Sequence, residues 1–322
     1  MTLSLRKSVP HERPVIGVLD SGLGLVDFAD ALHTRLPGAD LVLAMDPDFA
    51  PYGRLSHEDV GRRALASAHA IEQWDPDAIV VACNTASVHA LDLLRETFEP
   101  GIPIIGTVPA IKVAAEAGRP FAVWATTATT GSAYQRRLIE EFVPGAGASL
   151  PGAGGTDVPA AGSGLSPADV YPVRCPGLSR AIDAADPAAI DEAILAGCAA
   201  TPDEVENIVL GCTHYGLVTD RILKLRPQTR HLFDSPVAVA AQTARRLGID
   251  EAGSSAGTQG PGADGQGAGE SVDTGTILVP TLPPEPPAQG RILATYMSGR
   301  AEPLPDAVSH FAAGRRLLTM NG

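Results

Sequence analysis

With 322 residues the chain has room for two domains of ordinary size, and 44% hydrophobic residues are enough to give each a core. Aromatic residues are only 4%, so those cores are built from Ala, Val, Leu and Ile. A formal net charge of −13, with no Lys/Arg cluster as a local exception, excludes a nucleic-acid phosphate binder.

The first predicted strand is VIGVL (15–19), followed by the tight turn Asp20-Ser21-Gly22-Leu23-Gly24 and a helix-period stretch, VDFADALHTRL. LVLAMD (41–46) is the next strand, and a loop carries Pro51, Tyr52 and Gly53. Residues 57–73 form an amphipathic helix. AIVVA then leads into Cys83, Asn84 and Thr85, a helix runs through Leu94, and IPIIGTV (102–108) is extended. The pattern restarts: a strand in 117–130 ends at Thr126 and Thr129, SAYQRRLIEEF is a helix, and NIVLGCTHYG repeats the layout of IVVACNTAS. TRHLFDS leads back as a strand, RILATYMSG (291–299) resumes ordered chain, and DAVSHFAAGRRLL is a closing helix.

Strands alternating with helices define an α/β class with mostly parallel sheet, here as two similar Rossmann-like domains flanking a cleft. Residues 145–167 and 251–290 are rich in Gly, Ala, Ser and Pro, and are expected as flexible surface insertions without a catalytic role. No apolar run approaches the roughly 18 residues of a membrane helix. The start, MTLSLRKSVPHERP, lacks an apolar leader core, so the expected setting is the cytoplasm, without membrane or nucleic-acid partners. The four cysteines lack metal-ligand spacing and are expected as free thiols.

Sites in open α/β sheets form at the carboxyl ends of strands, where Asp20-Ser21, Cys83-Asn84-Thr85, Thr126-Thr127 and Cys212-Thr213-His214 all fall. Each turn precedes a helix start, which is expected to lower a thiol pKa. Two cysteines from two halves, facing each other across a substrate, can remove a proton from one face of a carbon acid and supply one to the other. The turn DSGLGLVD lacks the third glycine of a dinucleotide fingerprint, and Asp20 repels phosphate. Cys175 and Cys198 read as buried or incidental thiols.

GVLDSGLG, DPDFAPYG, VVACNTAS, VPAIKVAA, ATTATT…AYQ and IVLGCTHYGL, in this order, resemble the glutamate racemases of the aspartate/glutamate racemase family. LFDSPVAVA and YMSG fit as well, so the resemblance covers most of the chain outside the two low-complexity tracts. It implies cofactor-independent interconversion of L- and D-glutamate, supplying D-glutamate for peptidoglycan. Cys83 resembles the base acting on D-glutamate, assisted by Asp20, and Cys212 the base acting on L-glutamate, assisted by His214. Ser21, Pro51, Tyr52, Gly53, Asn84, Thr85 and Thr213 match substrate-holding positions, with Thr126 and Thr129 as further candidates, while Asp46 and Asp183 are candidates for an acidic layer behind them. The implied domains are 1–105 plus 233–322, and 106–232.

Two departures stand out. Leu25 replaces the second glycine of DSGxGG, and CPGLSRAID (175–183) replaces CP-x-F-V-P-L-V-E, with Asp183 in place of a glutamate. The alternatives are an aspartate racemase of the same family and a non-catalytic binding or regulatory protein on the same fold. A homodimer is left open.

Overall fold

The structure, a computed structural model, describes residues 13–143, 165–249 and 289–321. Most of both low-complexity tracts therefore lies outside the described residues. The described end of the first tract departs from the expectation: Leu165 is buried, and Ser166 and Asp169 cap a 3-10 turn at Pro167–Asp169. The reciprocal bonds of that capping box are what order it.

The first sheet is built from β1 (Val15–Asp20), β2 (Asp40–Met45), β3 (Ala78–Val81), β4 (Ile104–Gly106), β9 (Ile292–Met297) and β10 (Arg300–Ala301), in the order β10-β9-β2-β1-β3-β4. All its pairings are parallel except the terminal β9–β10 pair. The second sheet, all parallel, has the order β6-β5-β7-β8, from β5 (Phe121–Ala125), β6 (Val170–Arg174), β7 (Asn207–Leu210) and β8 (His231–Phe233). Central strands read as unbroken apolar runs because helices cover both faces. Leu19 and Val42 meet α2 (His57–Glu72), α3 (Asn84–His89) and α4 (Leu91–Phe98). Ile16 and Val18 meet α1 (Leu25–Arg35) and residues of the chain's later helices on the opposite face.

In the second sheet, Phe121 and Val123 pack on α5 (Ile111–Glu116) and α6 (Ala133–Phe142). Trp124 and Leu210 belong with α7 (Leu178–Asp183), α8 (Pro187–Ala200) and α9 (Thr219–Leu225). That last cluster also includes α10 (Pro236–Arg246) and α11 (Ala312–Leu318), so one apolar core joins helices from both sheets.

The departures from the expected elements are local. The helix expected through Leu94 is interrupted at Ala90, whose φ of −125° is not helical. The closing helix is a 3-10 turn at Asp306–His310 followed by α11, because Phe311 turns extended to bury its ring. Leu25, at the departure from DSGxGG, begins α1 as a fully buried core residue.

Candidate active site

Strand ends of both sheets open onto one cavity of about 460 Å³. From the first sheet it takes Asp20 and Ser21 after β1, Pro51, Tyr52 and Gly53 after β2, and Cys83, Asn84 and Thr85 after β3. From the second it takes Thr126 and Thr129 after β5, and Cys212, Thr213 and His214 after β7. Of the expected residues only Asp46 and Asp183 stay out of its wall, and both stand directly behind it.

The turn after β1 is held by its own carboxylate. Asp20 Oδ1 accepts from Ser21 Oγ and from the Gly22 N–H, each at 3.1 Å, and Oδ2 accepts from Thr213 Oγ1 at 2.9 Å. The last bond ties the first sheet to the turn after Cys212. Gly22 and Gly24 are required here by space. A Cβ on Gly22 would lie 2.7 Å from both Asp183 Oδ1 and His214 Nε2, and one on Gly24 2.3 Å from Thr213 Oγ1.

Cys83 is 5% exposed, with its sulfur 3.8 Å from Ser21 Oγ. Burial, and next the Asp20 carboxylate, push its thiol up to about 12, against bonds from the Ala86 and Ser21 amides. The lowering expected from the helix start is present but outweighed. Burial likewise lifts Asp20 above the usual carboxylate range, against the pull of His214 and the bonds from Gly22, Thr213 and Ser21.

The Cys212 side is built on charge. Its sulfur lies 3.8 Å from His214 Nδ1, and His214 Nε2 meets Asp183 Oδ1 at 3.0 Å. Burial disfavours the imidazolium, but Asp183 and Cys212 override it and hold the His214 pKa well above its ordinary value. Asp183 in turn is pulled below the usual carboxylate range: burial opposes this, and His214 with the Leu23 N–H wins. An aspartate thus reaches His214 from the altered 175–183 segment.

Behind Tyr52, its hydroxyl donates to Asp46 Oδ2 at 2.7 Å, and Arg63 binds both oxygens of the same carboxylate at 2.8 and 2.6 Å. Burial and then Asp46 push the phenol pKa up, so Tyr52 presents a neutral ring to the cavity. Asn84 Nδ2 donates to the Gly211 carbonyl at 3.1 Å, across the two sheets. Its Oδ1 is buried and accepts no hydrogen bond from the described residues. Thr126 and Thr129 hydroxyls meet at 3.1 Å.

Lining residues that sequence reasoning missed include Arg54, Cys175, Ser179 and Arg180. Cys175 is a cavity-wall thiol, yet burial pushes it up and keeps it protonated. Arg180 carried a usable signal, since it lies three residues before Asp183 and so shares its helix face.

The Asp/Glu/Hydantoin racemase family matches residues 26–244. A glutamate racemase of Photorhabdus laumondii is 34% identical over 239 residues, covering 72% of this chain and 75% of its own. One of Escherichia coli O139:H28 is 33% identical over 241 residues, covering 74% and 78%. Among solved structures, Escherichia coli glutamate racemase in complex with L-glutamate and the activator UDP-MurNAc-ala superposes with a TM-score of 0.61 at 28% identity, over 73% of this chain and 83% of that one. The Thermus thermophilus enzyme in complex with beta-chloro-D-alanine gives 0.53 at 29% identity, over 74% and 81%.

Proposed function

The chain belongs to the Asp/Glu/hydantoin racemase family, and we propose that it interconverts L- and D-glutamate by proton transfer between two thiols. The observation that carries this reading is that Cys83 and Cys212, from different sheets, line one cavity, with the Asp20 carboxylate acting on Cys83 and His214 beside Cys212.

In the L-to-D direction Cys212 acts as the thiolate. His214, held as imidazolium by Asp183, stabilises that negative sulfur. The thiolate takes the α-proton, its S–H bond forms as the Cα–H bond breaks, and the electron pair stays on the substrate as a carbanion delocalised into the α-carboxylate. Cys83, kept protonated by burial, gives its proton to the opposite face. The reverse direction requires the Cys83 thiolate. The substrate ammonium, arriving beside Asp20 and the open acceptor Asn84 Oδ1, supplies the positive charge that lets Cys83 ionise. Tyr52, Ser21, Thr85, Thr126, Thr129 and Thr213 supply the neutral wall that fixes the substrate's polar groups.

No helix of the described residues is long and apolar enough to cross a membrane. A cytoplasmic supply of D-glutamate to peptidoglycan is the role that goes with this reading, with the domains divided as 1–105 plus 233–322 and 106–232. Circular dichroism of purified protein with each enantiomer of glutamate, and of aspartate in parallel, tests it. Both glutamate enantiomers decay to a racemate, faster than those of aspartate; a static glutamate signal rejects the proposal.

A further inference from the structure

The cavity carries its charges in two layers. The buried floor holds Asp20 and His214, each exposed by 5% or less, and the exposed rim holds Arg54 and Arg180. Among the described residues of the wall, these four are the only Asp, Glu, Lys, Arg or His side chains. His214 is matched by Asp183, so two guanidiniums face at most the single negative charge of Asp20, and the wall is net positive. Arg54 ends the turn that carries Tyr52 and Gly53 on the first sheet's side, and Arg180 lies on α7 on the second sheet's side. The rim is therefore charged from both sides of the cleft. Neither guanidinium makes a hydrogen bond or ion pair with a described residue. Arg63 and Arg300 nearby differ: the first holds Asp46, and the second pairs with Asp48 and Glu302.

The rest of the chain is acidic, with a formal net charge of −13. The neighbouring cavity that Arg180 also lines has Asp183, Glu302 and Asp306 in its wall. An amino acid with two carboxylates and one ammonium is a net anion at neutral pH, so the chain's overall charge repels it. A positive rim on low-dielectric walls focuses the opposite field into the opening. The cavity of about 460 Å³ is on the order of 10 Å across, about one Debye length at 0.1 M salt, so both guanidiniums act on a charge anywhere within it. Exposed and unpaired, they act through solvent as charges. Resting on the glutamate-racemising reading above, we infer that Arg54 and Arg180 together form an electrostatic funnel that draws the anionic substrate into the cavity, neither being the fixed seat of one carboxylate. Such attraction depends on the substrate's net charge, not on its length or on which group points where. It raises the local substrate concentration and so appears in KM, leaving kcat alone.

The test uses Arg54→Gln, Arg180→Gln, the double variant, and Arg54→Lys and Arg180→Lys, which keep the charge. For each, kcat and KM for L-glutamate are measured at ionic strengths of about 10 mM and about 1 M, where the Debye length shrinks from about 30 to 3 Å. Inhibition constants are measured for L-aspartate, an anion of the same charge but shorter, and for L-glutamine, which is net neutral. The wild type must first racemise glutamate; if it does not, the functional reading fails before this one is reached. The readout is the ratio of variant to wild type, because salt also screens the chain's own net charge. At low salt each Gln variant should lower kcat/KM about 3- to 10-fold, and the double variant by about the product, with kcat within about twofold. At about 1 M salt the same ratios should come within about twofold of unity. The Lys variants should match the wild type within about twofold at both salts, because charge and not fork geometry is what acts. Aspartate should weaken by the same factor as glutamate, and glutamine by less than about twofold. A loss that persists at high salt, or that strikes glutamate and spares aspartate, overturns the inference in favour of a direct contact with one carboxylate. Equal weakening of glutamine, a loss confined to kcat, or ratios near unity at low salt also overturn it.

Discussion

The Cys83 and Cys212 sides, to which the proposed reaction gives mirror-image roles, have opposite electrostatics. Around Cys83 the groups are buried and pushed towards neutrality: a thiol near pKa 12 beside a carboxyl lifted above its usual range. Around Cys212 an ion pair, His214 with Asp183, stands at 3.0 Å. A reaction symmetric at carbon does not require a symmetric site. Burial holds the proton on Cys83, while a charged pair, His214 with Asp183, stands beside Cys212.

Removing either sulfur breaks the comparison outright. Cys83→Ser and Cys212→Ser should each lower racemisation by about 10³-fold or more, because a serine hydroxyl is too weak an acid to replace the thiol. Both variants should still bind substrate, as calorimetric titration with glutamate would show.

Gly22→Ala attacks the point where the two sides touch. Its added Cβ meets Asp183 Oδ1 and His214 Nε2 at 2.7 Å, so the ion pair must move while Cys83 keeps its surroundings. A displacement on that scale costs about 10²-fold in kcat. Far-ultraviolet circular dichroism should remain that of the wild type.

Asp183→Asn keeps the shape and removes the charge. The His214 pKa then falls towards its ordinary value, because the largest influence raising it is gone. Activity should drop about 10- to 100-fold at pH 8, and the alkaline limb of the pH–rate profile should move to lower pH. The linkage has the same sign: stability from the His214–Asp183 pair is complete below the ordinary histidine pKa and is lost as pH rises through the elevated one. An unshifted limb would show that His214 does not tune Cys212.

The smallest effect lies behind the Cys212 side. Asp27 and Asp234 both approach Gly216, and burial with their mutual repulsion pushes Asp234 up to about 7; burial with Asp30 pushes Asp27 up to about 6. Since the folded values exceed the ordinary 3.8, stability is greatest below that value and declines as pH climbs towards 7. Asp234→Asn should therefore stabilise the protein by roughly 1–3 kcal/mol at pH 8 and by little at pH 4, measured by urea unfolding.

What was legible in the sequence follows from physics of short range. Strands β1, β3 and β7 are unbroken apolar runs ending in polar turns, so they and their cysteines could be placed directly. The edge strand β6, VYPVR, carries Pro172 and alternates in burial, and α8 is so rich in Ala that its apolar face is indistinct; neither was foreseen. The thiol pKa was misjudged at Cys83 because a helix start is local and visible, whereas the burial that overrides it is assembled from distant segments. Arg180 escaped for a related reason: a charged residue on a short helix reads as solvent-facing until the fold places it on a cavity wall.

The most direct test of two thiols acting on opposite faces is the fate of the α-hydrogen. L-glutamate is converted in D₂O, and both enantiomers are recovered at low conversion for mass spectrometry. The two-thiol mechanism predicts D-glutamate carrying solvent deuterium at the α-carbon and residual L-glutamate almost unlabelled, since the proton removed by Cys212 is not the one delivered by Cys83. Deuterium entering the residual L-glutamate as fast as the product, or protium carried over into the D-glutamate, would mean a single base serves both faces and would contradict it.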